Sequence, residues 1–327
     1  MSRLFPRSTI LSGLAAAIAG TGIPRIARAQ TPTLHVAGVF SDLFAEPFYA
    51  KEAGAFAKAG FDIDAISLNN AGAVAAAIGG GTLEMGIGDL VSGINAINAG
   101  IPIVLVAGGG LYNERTDSES TILAVASDSP IRAPKDLIGK SIGVPTLVGL
   151  ATACFRAWLP EHGIDESTVH LVEIPQSTTL PALQRGTIDA GLLSEPFVTF
   201  SKGLIRSVGS PFDAAADLAA NKEFCVSVWY ASKPWFEADP ARARVALGAI
   251  YDTARWSNAH RDDTFAILVR DGKLDAARAR GMQRTTYATS LTPALIQPVI
   301  TIATQKKLFA KPVDATSIIT VPATSSK

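Results

Sequence analysis

The residues able to do chemistry in this chain sit in short polar clusters that follow apolar runs. Ser41 and Asp42 follow 34–39, Asn70 follows 61–68, and Asp89 follows 85–87. Thr146 follows 141–144, Ser177 and Thr178 follow 169–172, and Glu195 follows 188–192. These are hydroxyls, an amide and carboxylates, with no Lys or Arg among them; Arg115 is the nearest cation. Such groups hold a small molecule by hydrogen bonds. A buried dianion wants a bidentate arginine. The expected ligand is therefore neutral, zwitterionic or a monoanion. Ser177, Thr178 and Thr146 suit a small oxyanion, and they also suit helix capping. Asp42, Asp89 and Glu195 suit an amino group. Asp89 and Glu195 equally suit helix starts, where acids are ordinary, and Asp42 equally suits a turn. Phe40, Phe44, Tyr112, Phe197 and Trp229 are candidates for an apolar wall or for the core.

No catalytic constellation stands out. His35, His162, His170 and His260 are scattered, and Gly-x-Ser-x-Gly is absent. The runs at 79–81 and 108–110 lack the Gly-Lys-Ser/Thr ending of a phosphate loop and the spacing of a dinucleotide fingerprint. Cys154 lies in a helical pattern and Cys225 in a strand pattern, which favours buried free thiols over a disulfide, and neither has metal-ligand spacing to a histidine. The expectation is no catalytic residue, no metal and no cofactor.

The elements that must position these clusters repeat. Ala77 to Asp89 reads AIGGGTLEMGIGD, and Ala182 to Ser194 reads ALQRGTIDAGLLS. The two are offset by 105 positions without a gap. Each spells a helix end, a glycine stop and a short apolar strand. β-α alternation runs from 34 to 107 and again from 141 to 203, which implies mostly parallel sheets with helical crossovers. A helix is expected over 48–58. Two strongly apolar runs, 121–126 and 223–230, bracket the second series and are expected to link two lobes. After Tyr230 the pattern is helical over 240–258, 263–270, 274–280 and 293–307. The Thr/Ser/Pro-rich tail beyond Lys311 is expected to dock loosely.

The N-terminus reads as a signal peptide, 1–29. Arg3 and Arg7 precede an uncharged apolar stretch, and Ala27-Arg28-Ala29 is an A-x-A cleavage site. The full chain balances 29 Lys+Arg against 29 Asp+Glu, and removal of four arginines leaves 25 against 29. That balance argues against nucleic-acid binding. A mean hydropathy of +0.26 with no later apolar run long enough to span a bilayer points to a densely packed α/β protein.

Several segments carry a family resemblance. They are "FYAKEAGAFAKAGFDIDAI" (48–66), "GGGTLEMGIGD" (79–89), "APKDLIGKSIGVP" (133–145) and "LQRGTIDAGLLSEPF" (183–197). With the signal peptide and the two apolar runs, they resemble the periplasmic solute-binding proteins of ABC transporters, in the nitrate/sulfonate/taurine and thiamine-pyrimidine-precursor family. The resemblance implies an α/β, two-lobe periplasmic binding protein fold (type II). Each lobe would be a mostly parallel sheet flanked by helices, with two linking strands. Lobe one would take 30–120 and 231–327, lobe two 127–222, and the links 121–126 and 223–230. The implied function is capture of a small organic solute, sulfonate- or taurine-like or an aromatic or pyrimidine-type compound, in the interlobe cleft. A periplasmic sensor subunit and a biosynthetic enzyme share the fold. The implied partners are the solute and an inner-membrane ABC permease, with the protein monomeric, periplasmic and not an enzyme. On the signal sequence alone, the exported protein should begin at Gln30. N-terminal sequencing of the secreted chain checks this, and retention of residues 1–29 on a soluble cytoplasmic protein would refute it.

Overall fold

The two echoing segments fold alike, residue by residue. Gly81 and Gly186 both take left-handed backbone, with φ of +79° and +66°. A side chain is strained there, so glycine ends the helix in each copy. Thr82 and Thr187 each return their N–H to the helix, to the carbonyls of Ala77 and Ala182, at 3.1 and 3.0 Å. The acid two positions on then ties the next strand to its neighbour. Glu84 accepts the His35 N–H at 2.7 Å, and Asp189 accepts the Ser141 N–H at 2.9 Å. Gly86 and Gly191 lie under helices. A Cβ on Gly86 would meet Val74 at 2.6 Å, and one on Gly191 would meet Thr179 at 2.5 Å.

The computed structural model describes residues 31–322, so the expected signal peptide lies outside the described residues. The strands are β1 (Thr33–Val39), β2 (Asp62–Leu68), β3 (Met85–Asp89) and β4 (Ile103–Gly108), then β5 (Leu111–Asn113) and β6 (Thr121–Ala126). They continue with β7 (Ser141–Val144), β8 (His170–Glu173), β9 (Ala190–Ser194), β10 (Ile205–Gly209), β11 (Glu223–Cys225) and β12 (Ser227–Ser232). One five-stranded sheet has the order β2-β1-β3-β12-β4, and the other has β10-β6-β9-β7-β8. The pairings β1–β2, β1–β3, β7–β8 and β7–β9 are parallel. This is the α/β architecture expected, two sheets flanked by helices.

The linking strands differ from expectation. Residues 121–126 are β6, which lies inside the second sheet, antiparallel to β9. Residues 227–230 belong to β12, inside the first sheet, antiparallel to β3. The chain passes between sheets through β5 and β11, which pair antiparallel with each other as a separate ribbon. Of the expected run 223–230, only the first residues link. The reason is burial: β6 and β12 are interior antiparallel strands with neighbours on both sides, and all but their last residues are buried, so they are apolar on both faces. Apolarity marked them but could not tell a crossing strand from a central one.

Two other expectations change. The helix over 48–58 is two helices, Glu46–Ala53 and Ala55–Lys58, broken at Gly54, where φ is +68°. The described part of the tail, 312–322, is anchored: Ala315 is buried, Ile319 bridges Leu105, and the Thr320 N–H bonds the Leu105 carbonyl at 2.8 Å. It thereby covers the open edge at β4.

The helix Glu46–Ala53 starts with a fully buried acid. The Trp229 indole donates to Glu46 Oε2 at 2.8 Å, and Oε1 has no partner. Burial pushes the Glu46 carboxyl up to about 8, against the smaller opposing pull of that hydrogen bond. Folding therefore favours the protonated acid. This contribution is fully present below the unfolded value near 4.5 and is lost as pH rises toward 8. Each pH unit in that window costs at most about 1.4 kcal/mol. Glu46→Gln should match the parent near pH 4.5 and become increasingly more stable up to pH 8. Urea titrations across that range check it; a difference that does not grow with pH would refute it.

Candidate functional site

A cavity of about 330 Å³ lies between the sheets. From the first sheet it takes Val39 at the end of β1 and Phe40 after it, Asn69 and Asn70 after β2, and Asp89 at the end of β3. From the second it takes Pro145 and Thr146 after β7, Pro175 to Ser177 after β8, and Ser194 at the end of β9. Both sheets thus present the carboxyl ends of parallel strands, the usual place for ligands in such sheets. Asp89 and Ser194 are equivalent positions in the repeat and meet at the same cavity.

Four of the eight expected site residues line it: Asn70, Asp89, Thr146 and Ser177. Asn70 caps its own helix by accepting the Ala73 N–H at 2.9 Å. The Thr146 carbonyl accepts the Thr152 hydroxyl at 2.6 Å, which fixes the loop after β7. Asp89 is 7% exposed. Its Oδ1 accepts the N–H of Ser92, in the helix Leu90–Asn98, and that of Leu150, in the helix Leu150–Glu161, both at 3.0 Å. Its Oδ2 accepts the Ser92 hydroxyl at 2.6 Å. One carboxylate therefore caps two helices on opposite lobes. Burial pushes its pKa up, and these hydrogen bonds pull it back.

The other four are drawn elsewhere. Ser41 is buried, and its hydroxyl donates to the Glu195 carbonyl at 3.2 Å. Asp42 is 1% exposed and ion-paired with Arg284, whose Nη2 lies 3.0 Å from Oδ1. It also accepts the Tyr49 hydroxyl at 3.1 Å and the Thr285 N–H at 2.6 Å. The Glu195 carboxylate accepts the Thr199 N–H at 3.0 Å and hydroxyl at 2.7 Å, and the Gln283 N–H at 3.3 Å. Its oxygens are committed to the chain, so it is not placed to meet an amine in the cavity. Thr178 returns its hydroxyl to the Pro175 carbonyl at 2.9 Å. Ser41, Asp42 and Glu195 are contacts between lobes rather than walls of the cavity.

Several lining residues fall outside those eight. Gln176 Oε1 accepts the N–H and hydroxyl of Ser194, at 2.7 and 3.1 Å, and so binds the start of the helix Gln176–Gln184 to the end of β9. Of the five aromatic candidates, Phe40, Phe44 and Phe197 line the cavity, while Tyr112 and Trp229 are fully buried in the core. Phe212, Val226 and Leu274 add apolar wall. Gly272 packs against the tip of the Phe40 ring; a Cβ there would lie 1.8 Å from Cζ. Distance in sequence hid this contact. Arg284 had one signal, as the lone charge between 281 and 293.

The lining carries one acid and no Lys, Arg or His. The helix Gln176–Gln184 follows Pro175, which supplies no side-chain cap. Gln176 and Ser177, which begin it, line the cavity, while the Thr178 N–H is taken by the Pro175 carbonyl at 2.9 Å.

The NMT1/THI5-like family model matches residues 43–264. The chain belongs to the NMT1/THI5-like family. No curated protein sequence matches it at a significant level. Among solved structures, this NMT1/THI5-like chain is similar to the alkanesulfonate-binding protein SsuA from Xanthomonas axonopodis pv. citri, with a TM-score of 0.72 and 14% identity over 88% of this chain and 98% of that one. It is also similar to the periplasmic nitrate-binding protein NrtA from Synechocystis PCC 6803, with a TM-score of 0.67 and 13% identity over 88% and 85%. The desulfurization enzyme DSZB follows, with a TM-score of 0.62 and 17% identity over 89% and 96%. At such identities the likeness is one of fold, the two-lobe α/β architecture of periplasmic binding proteins.

The Asp42–Arg284 pair, within lobe one, tests whether Asp42 is a structural anchor rather than a cavity wall. Arg284→Met should destabilise the protein by about 3–5 kcal/mol, because it leaves a buried carboxylate unpaired. Asp42→Asn added to it should recover part of that loss. Denaturant unfolding of the single and double variants checks this. Additive losses would refute the pairing.

Proposed function

We propose that this chain is the exported solute-binding component of an ABC importer. It captures one small solute between its lobes and presents it to a permease in the inner membrane, working as a periplasmic monomer without chemistry of its own. The observation that carries the reading is the cavity: both sheets turn their strand ends into it, and its walls are apolar with a few hydrogen-bonding groups. A solute touching Asn70 and Asp89 on one lobe and Thr146 and Ser177 on the other would favour the closed arrangement, and closure would mark the loaded state. The sulfonate- and nitrate-binding proteins among the structural relatives support the role.

The lining favours a compact, largely apolar solute of ring size, neutral, zwitterionic or with one negative charge. The absence of a cation disfavours a multiply charged one. A single anionic head would be met by the N–H groups that open the helix Gln176–Gln184, next to Ser177. Burial of both thiols supports binding over a cysteine-based reaction. Cys225 is pushed up to about 12 by burial and Cys154 is raised further, so neither is a ready thiolate.

The experiment is a thermal-shift screen followed by calorimetry. The panel sets aromatic monocarboxylates and neutral heteroaromatics against taurine, alkanesulfonates, nitrate and sulfate. A ring-sized solute should bind, and at 100 times its Kd it adds about 2.7 kcal/mol of stability. Loss of a hydrogen bond to a charged head in Ser177→Ala should weaken binding about 10- to 150-fold. Tight binding of sulfate, or parent-like affinity in a folded Ser177→Ala, would overturn the assignment.

A further inference from the structure

The helix Leu150–Glu161 opens on the cavity with Gly149, a residue that cannot cap it. Its first N–H would ordinarily attract an anion, since unsatisfied N–H groups and the helix dipole both favour negative charge. Asp89 fills that place from the opposite lobe, with its carboxylate oxygen 3.0 Å from the Leu150 nitrogen. We propose that Asp89 is a specificity-determining residue: its carboxylate occupies this helix start as a built-in anion and excludes anionic solutes from that end of the cavity.

Two observations support this independently. First, the fold can cap the following helix without placing a charge in the cavity. In the second lobe that cap is Glu195, which accepts the Thr199 N–H at 3.0 Å and stands outside the lining, while the residue equivalent to Asp89 on the cavity is the uncharged Ser194, held by Gln176. Second, the lining offers no cation to neutralise Asp89. Its charge therefore reaches across the whole cavity. A unit charge about 10 Å away, at the effective dielectric of a protein interior, changes anion affinity about tenfold or more. The proposal rests on the reading of the cavity as a solute site and adds a direction to it. A negative head is steered away from Leu150 and toward Gln176 and Ser177.

The test uses two small anions, methanesulfonate and nitrate, and one uncharged probe, dimethyl sulfone, with calorimetry on the full-length secreted protein. Asp89→Asn keeps an oxygen to accept the Leu150 and Ser92 N–H groups, so both helix caps survive. Asp89→Ser copies the residue of the second lobe. Circular dichroism verifies the fold of each. The expected result is at least about tenfold tighter binding of both anions in both variants, with dimethyl sulfone changed by less than about twofold. Three results would overturn the proposal. The first is folded variants that bind the anions no better than the parent. The second is a gain that extends equally to dimethyl sulfone, which would make it one of space. The third is failure of both variants to fold, which would make Asp89 a folding residue. The outcome separates from that of the solute screen. An anion gain with no ring-sized solute found keeps this role and removes the solute class; a solute found without an anion gain does the reverse.

Discussion

The first N–H groups of a helix have no partner inside it, and every helix that opens on the cleft must settle that shortage. Each settles it differently. The helix Ala71–Gly79 is capped by its own Asn70, and Leu90–Asn98 by its own Asp89. The helix Leu150–Glu161 borrows the same Asp89 from across the cleft. The helix Gln176–Gln184 has no side-chain cap. The polarity of the cavity follows from this arrangement more than from its composition. Three of these helix starts have a side-chain cap, and the fourth, Gln176–Gln184, has none. On the proposed reading, the apolar side chains between them give a solute shape, while the fourth start gives it a direction.

The same economy explains why the repeat was readable from the sequence and half of the site was not. Gly81 and Gly186 sit where only glycine is comfortable, and each is followed by a threonine and then an acid that ties down the neighbouring strand. Those requirements are local, so they appear as a local spelling. The linking strands are a different case. Whether an apolar run crosses between lobes or stays central in one depends on its pairing partners, which the run itself does not encode. The site residues divide along the same line. Asn70 and Asp89 line the cavity because they end strands and begin helices, a position visible in sequence. Ser41, Asp42 and Glu195 have the same local signature, but residues 88 to 243 positions away claim them.

Asp42 shows what that claim involves. A carboxylate 1% exposed is costly to bury, and the cost is offset by Arg284, Tyr49 and the Thr285 N–H together. Its own N–H reaches the Glu195 carbonyl at 3.0 Å, and Gln283 reaches the Glu195 carboxylate. The segment after β1, the segment around Arg284 and the end of β9 are therefore held as one polar unit beside the cavity. Such a unit adds little net stability, because the charges lose their water. It joins the two lobes at one edge, beside a cavity whose walls are mostly apolar.

How tightly such walls bind is bounded by their area. A ring the size of an aromatic side chain buries about 150–250 Å². At about 25 cal/mol per Å², that contributes about 4–6 kcal/mol, which corresponds to a Kd from about millimolar to tens of micromolar. Association itself then subtracts several kcal/mol for lost translational and rotational freedom. Apolar contact alone therefore leaves a weak binder. The remainder has to come from groups that are already oriented, since these are not charged again for ordering. The N–H groups opening Gln176–Gln184 meet that condition: the Gln176 side chain is tied to Ser194, and the helix behind it is fixed on the sheet. On the proposed reading, affinity and selectivity thus converge on this helix start, which has no side-chain cap.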